Sequence, residues 1–321
     1  MCGDGGNDCG ALRVAHCGIA LSEAEASIVS PFSTNVRSIF SCVELLRQGR
    51  AALATSFAGY KFLILYGETM CFLELVQYYF TVIVPQWIWV LIDGFVTVGL
   101  SYALTQAPPA RRLAAQRPTA RLLGPETLIS AFTQVIVNLI FFCFGVLLLY
   151  RQPWFRCNEF DSTASDASKW WLLGDNFEAL IITCITLPQF INAAAVFNFG
   201  YLYRGAWWRN YVFVAFYVVM MSFVSYIILA DPNPVGCWFR SNCGDPDVLV
   251  ELGYPRPTWN IELYNNPLGH NVFPVEFRWK IWGYAMANCV INVLFEYFIV
   301  LGVGRKWAKS RYPQKRMELV R

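Results

Sequence analysis

Apolar residues fall in long runs separated by short polar stretches, and the runs recur at about 20 residues, the length that crosses a ~30 Å hydrocarbon core as helix. Six are predicted, at about 57–80, 85–107, 126–150, 177–200, 211–230 and 279–303. The last four are clean; Ala285 to Val303 holds Glu296 as its one charge. The first two are interrupted by Lys61, Glu68, Glu74 and Asp93. Upstream, Val36 to Thr55 reads as a helix with Ile39, Val43, Leu46 and Leu53 at helical spacing, continuous with the first run. The expected fold class is an all-α polytopic membrane protein with six transmembrane helices. A polar head, residues 1–36, precedes a stalk helix at 37–56, a membrane domain at 57–303 and a basic tail at 304–321.

Composition agrees. Of 321 residues, 56% are hydrophobic and only 15% charged, too few charges for an ordinary soluble domain. The formal charge of +3 is small and dispersed, so no nucleic acid partner is expected. Asp4, Asp8 and Arg13 interrupt the first twenty residues, where a signal peptide needs an apolar stretch. The 12 tryptophans sit near run ends or in connections, as an interfacial belt requires. Arg111, Arg112, Arg117 and Arg121 collect in one connection, Arg204 and Arg209 in another, and Arg305, Lys306 and Lys309 open the tail. Those stretches belong on the cytosolic side, with both termini, while the acidic connections 151–176 and 231–278 face the other way. In the latter, Cys237 and Cys243 can pair, Cys157 can compete, or all three can stay free thiols.

Two places carry candidate chemistry. In the head, Gly3-Asp4-Gly5-Gly6-Asn7-Asp8 offers glycines for a tight turn, two carboxylates for Mg²⁺ and an amide for a phosphoryl oxygen, ahead of a helix from Cys9 to Arg13 whose positive end would help. The same residues would also serve as a plain chain turn. In the membrane, an ionised carboxylate costs about 2.5–3.5 kcal/mol and calls for a pathway or a partner. Glu68 and Asp93 both count to mid-depth, and with Tyr66 they form a slot for a cation with separated amines. Asp93 could instead bond a neighbouring helix, Glu74 could snorkel to water, and Lys61 could serve only to neutralise Glu68. Gln134 with Asn138, and Asn288 with Asn292, have the spacing of interhelical hydrogen bonding. Pro188 is expected to kink its helix, and Glu296 to anchor packing. His16 reads as a core residue and His270 as a solvated one.

The run MCGDGGNDCGALRVAHCGIALSEAEASIVSPFSTN, residues 1–35, resembles the hinge end of the phosphorylation domain of P-type ATPases. SEAEASIVSPF followed by GRAALATSF is similar to type V, subgroup B, the lysosomal and endosomal polyamine-transporting pumps. The likeness continues through Gln152-Pro153-Trp154-Phe155, Pro188-Gln189-Phe190, Asn288 and Glu296. It implies that residues 1–36 are the C-terminal piece of a HAD-like α/β domain and that the six runs are the fifth to tenth of ten membrane helices. It implies that Asp4 and Asp8 bind the Mg²⁺ that assists phosphoryl transfer from ATP, with Asn7 at the phosphorylated site. Leu65-Tyr66 and Ile92-Asp93 match positions that line the polyamine path; Met70 stands where such pumps carry a glutamine, and Glu68 where they carry an apolar residue. Gln189 and Glu74 are secondary candidates. The resemblance implies a multi-pass protein of a late endosomal, lysosomal or other endomembrane. The D-K-T-G-T aspartate, the T-G-E loop and the nucleotide-binding domain are not in this chain, which is therefore expected to be a C-terminal half that does not turn over ATP alone.

Overall fold

The structure is a computed structural model that describes residues 1–21, 26–115, 117–156, 167–199 and 202–311. The chain divides into two compact units. The first comprises Met1–Ser56, Ala107–Ala120 and Gly200–Arg209. Its head is a parallel sheet in the order β1 (Cys2–Gly3), β2 (Ile19–Ala20), β3 (Phe32–Ser33), with α1 (Cys9–Val14) and α2 (Ala26–Val29) in the connections. Leu12 and Ala20 are buried beneath this sheet with Val29 packed on them, a very small core. His16 lies on the exposed surface rather than in that core, because α1 ends at Val14 and the chain has already turned outward.

The same unit contains the two basic connections, which pair with each other. Pro109 and Arg204 form an antiparallel bridge, and Gly205 N–H donates to Pro108 O at 2.6 Å. Arg47 braces them by donating to Ala110 O (2.8 Å) while paired with Glu44.

Helix α3 (Phe40–Phe80) runs 41 residues without interruption, about 60 Å at 1.5 Å per residue. It begins at Phe40 rather than at Val36, where Ser38 Oγ accepts the Phe40 N–H. Its upstream apolar positions are not a buried stripe: Ile39 and Leu46 are exposed. Thr81 ends it at φ 59°, with Val82 N–H reaching back to Gln77 O, the left-handed cap that satisfies the last carbonyls.

The second unit comprises Phe57–Gln106, Arg121–Phe199 and Asn210–Arg321. Five helices in the described residues are long and apolar enough to cross a membrane. They are α4 (Gln86–Thr105), α5 (Pro125–Tyr150), α6 (Phe177–Val196), α7 (Tyr211–Leu229) and, after two short helices in the outer connection, α8 (Pro234–Trp238) and α9 (Pro246–Glu251), α10 (Val275–Arg311). The predicted first run, the second half of α3, falls outside those five because Lys61, Glu68 and Glu74 dilute its apolar character. Helix α6 is the centre of the bundle, nearly every residue buried, and it continues as helix through Pro188.

Two segments are wound as π-helix, Leu91–Thr97 within α4 and Phe295–Gly304 within α10. The connection 231–274 is folded rather than loose. Cys237 and Cys243 are disulfide-bonded, and Cys157 lies outside the described residues. Arg240 pairs with Asp175. Arg278, fully buried, donates to the carbonyls of Phe273, Leu229 and Ala230 and to Asp231 Oδ1 (2.9 Å). His270, read from the sequence as solvated, is half-buried with its ring edge-on to Phe177 and its Nδ1 accepting Val272 N–H at 3.2 Å. The disulfide and the Arg240 and Arg278 anchors hold the connection close enough to bury it.

Candidate functional site

In the head, the chain leaves β1 at the carboxyl end of a parallel strand, turns through the 3-10 segment Gly6–Asp8 and enters α1. Asp8 folds back on this turn, its Oδ2 accepting the Asp4 N–H at 3.1 Å while its own N–H donates to Gly5 O at 3.0 Å. The glycines work through absent side chains, not through left-handed backbone. Gly3 and Gly5 are not among the positive-φ residues, but a Cβ on Gly3 would lie 2.5 Å from Asp8 Oδ2, and one on Gly5 would lie 2.4 Å from Asn7 Oδ1. Asp4 and Asn7 are exposed and Asp8 is half-exposed. No group of three or more His, Cys, Asp or Glu among the described residues forms a metal cage. Two carboxylates on one turn, open to solvent, suit an ion such as Mg²⁺ that keeps most of its shell as water and phosphate oxygen. With six residues, α1 adds little dipole.

In the membrane unit, Tyr66 on α3 donates its hydroxyl to Asp93 Oδ1 on α4. Their neighbours Leu65 and Ile92 are buried at 2% and 0% exposure, which pins the two helix faces together. The Tyr66 ring packs on Phe190 of α6, centroids 5.6 Å apart, and Met70, one turn on, packs against the same core. Asp93 is on the exposed side of the pair and sits within the π-helical stretch. An extra residue in a turn re-aims the side chains that follow, a deviation frequent at functional sites.

Glu68 does not join Asp93. It lines a separate cavity of about 20 Å³ with Thr69, Asn138, Thr186 and Gln189, between α3, α5 and α6. Gln189 is buried and donates to Asn138 O at 3.1 Å. Glu74 is exposed.

Lys61 reaches neither Glu68 nor Glu74. Its ammonium lies 3.3 Å from Glu296 Oε1 and donates to Ser130 Oγ at 3.0 Å, above the Phe197 ring. Ser130 donates to the same carboxylate oxygen at 2.7 Å. The expectation that Lys61 neutralises Glu68 is thus overturned: Glu296 is almost completely buried whereas Glu68 is exposed, and a buried anion holds a cation far more strongly than an exposed one.

This cluster continues as a ladder between antiparallel α5 and α10. Gln134 Nε2 donates to Asn292 O (3.1 Å), and Asn292 Nδ2 donates to Asn138 Oδ1 (2.6 Å) and Asn288 Oδ1 (3.2 Å). Asn192 of α6 donates to Cys289 O and accepts from Tyr217. The interhelical hydrogen bonding expected of these amides is present; what the sequence analysis did not give is the single ladder that joins them to Ser130 and Glu296. The signal was there: Ser130, Gln134 and Asn138, and Asn288, Asn292 and Glu296, are two series at steps of four.

No family model matches the chain. Among curated proteins it is 32% identical over 244 residues to the human polyamine-transporting ATPase 13A3, covering 71% of this chain and 20% of the relative. It is 34% identical over 256 residues to the probable cation-transporting ATPase 13A4 of Gallus gallus, and 30% over 250 residues to the human probable cation-transporting ATPase 13A5, each match covering 72% of this chain. The chain spans about a fifth of the length of these relatives. Together with its bundle of apolar helices, this similarity places the chain in the type V P-type ATPases, the family of the polyamine- and cation-transporting ATPases.

Proposed function

We propose that this chain supplies part of the membrane domain, and an edge of the phosphorylation domain, of an ATP-driven pump that moves a polyamine or another cation across a late endosomal, lysosomal or other endomembrane. In this reading residues 1–36 belong to the phosphorylation domain, 37–56 to the stalk, and the second half of α3 is a sixth span. The basic connections and both termini are cytosolic. The observation that carries the proposal is the Tyr66 to Asp93 hydrogen bond, which sets an intramembrane carboxylate beside a phenol at the contact of α3 and α4. A carboxylate within a membrane helix is retained when it meets a ligand or a partner. An arriving ammonium offers Asp93 a charge-assisted bond in place of the neutral phenol. Tyr66, held by Phe190, keeps its ring face available to the cation. Met70 offers an apolar wall to a methylene chain.

In the head, Asp4 and Asp8 would hold Mg²⁺, with Asn7 donating its amide to a phosphoryl oxygen. The ion, when bound, offsets the charge of the phosphate being transferred from ATP. Helix α3 starts near the head and carries Tyr66 without a break, so a shift of its first turns reaches Tyr66 through continuous backbone hydrogen bonds.

The test is ATP hydrolysis by the full-length protein with spermine as stimulant. Asp93→Asn should raise the half-maximal spermine concentration roughly tenfold or more, the value of one charge-assisted hydrogen bond. Spermine stimulation unchanged in that variant would remove Asp93 from the path. A second reading, transport of a smaller cation, draws on the cavity beside Glu68, whose volume of about 20 Å³ admits one water-sized particle. Stimulation by an inorganic cation that is lost in Glu68→Gln, without response to spermine, would favour it.

A further inference from the structure

Two grooves of similar volume open on the outer face of the second unit, and they differ in charge. One, about 550 Å³, lies between α4, α7 and α8; its lining, which includes Trp87, Phe95, Met220 and Trp238, holds no charged side chain. The other, about 580 Å³, lies between α5 and α10, and Ile140, Phe144, Leu147 and Tyr284 share its lining with Arg151 and Lys280. Ile140, Phe144 and Leu147 are exposed, so this is a face that lipid covers.

The two cations meet because of the antiparallel pairing. Arg151 caps the C-terminal end of α5 and Lys280 lies in the second turn of α10, so both stand at one mouth of the groove. Ile140 lies eleven residues before Arg151, about 16 Å along a helix. That is close to half of a ~30 Å hydrocarbon core, the depth of one leaflet. Trp279, beside Lys280 in sequence, is exposed, as an indole at headgroup level is. Neither Arg151 nor Lys280 has an ion-pair partner among the described residues. The Tyr284 hydroxyl is spent on Phe141 O at 2.8 Å and forms wall rather than a contact for a headgroup.

We propose that this groove binds an anionic glycerophospholipid, its phosphate between Arg151 and Lys280 and one acyl chain along Leu147, Phe144 and Ile140. A zwitterionic headgroup brings its own ammonium to two side chains that are already positive, so it gains less; an anionic one brings only its negative charge and halves the positive charge of the mouth. The uncharged groove between α4 and α7 has no such preference and serves as an internal control.

The test uses the full chain in phosphatidylcholine nanodiscs with a phosphatidylglycerol that carries a photoreactive diazirine on its acyl chain. Labelling should map to residues 140–151 and 275–284, and unlabelled phosphatidylglycerol should displace it roughly tenfold better than phosphatidylcholine, the scale expected of two basic contacts at an anionic lipid. That preference should vanish in R151Q/K280Q and survive in R151K/K280R. Labelling of the uncharged groove should persist in every variant, showing that each is folded. Equal displacement by the two lipids in the unaltered chain, or a preference that survives R151Q/K280Q, overturns the proposal. So does displacement by soluble glycerol phosphate, which would make the site one for free phosphate.

Discussion

Lys61 and Glu296 are 235 residues apart in the chain and 3.3 Å apart in space. The sequence offered Glu68 as the partner of Lys61 and gave Glu296 only a packing role, because spacing along one helix suggests partners on that helix, whereas burial selects the partner across the bundle. A pair so enclosed is costly to break and cheap to replace as a whole. Lys61→Met alone, or Glu296→Gln alone, should lower unfolding stability in detergent by about 3 kcal/mol, while the double replacement Lys61→Met with Glu296→Leu should lie closer to the parent than either. Additive losses in that double-mutant cycle would show that the two groups are not coupled. Asp93 and Glu296 share a further feature: each sits on a π-wound stretch, a geometry that no residue pattern in the chain announces.

At the scale of elements, periodicity placed the long helices well and said little about how they end. The run predicted to begin near 279 starts at Val275, because Pro274 opens it and Arg278 is buried as an anchor rather than left at a wet boundary. The connection 231–274 looked like an acidic loop and is an ordered cap. Within it His270 lines a small cavity with Arg156 and Glu178, and burial lowers its pKa. Just below the ordinary imidazole value of about 6.5, the unfolded chain therefore holds the proton that the folded cap does not, so stability rises with pH through that window and levels off above it. Burial raises the Asp175 and Asp245 carboxyls, which gives the opposite slope over a window that opens at the ordinary carboxylate value and extends upward from it. Thermal unfolding followed from pH 5 to 8 should show the rise, and His270→Gln should flatten it; an unchanged slope in that variant would assign it to other groups.

For the whole molecule, the proposed function assigns the head turn and the carboxylate of Asp93 to one pump. The turn gives a test that leaves its carboxylates in place. Gly3→Ala puts a methyl 2.5 Å from Asp8 Oδ2, so Asp8 must swing away although its charge remains. In the full-length pump this should reduce phosphoenzyme formation at limiting Mg²⁺ by roughly tenfold and be partly rescued by excess Mg²⁺, as expected when an ion site is distorted by about 1.4 kcal/mol. No change at any Mg²⁺ concentration would leave the turn a structural one.

Apolar run length by itself determined that this is a membrane bundle, and roughly where its helices lie, since a ~30 Å core imposes its span on any sequence that crosses it. Local order also exposed the head turn, because Gly and Asp within six positions act on each other directly. Only the tertiary structure decided which polar groups meet. It joined Tyr66 to Asp93, sent Glu68 to Asn138 and Gln189, and gave Lys61 to Glu296. It also made Cys237 and Cys243 partners and brought His270 under cover. In a low-dielectric interior, distance and enclosure set the strength of a polar contact, and neither quantity is a property of position along the chain.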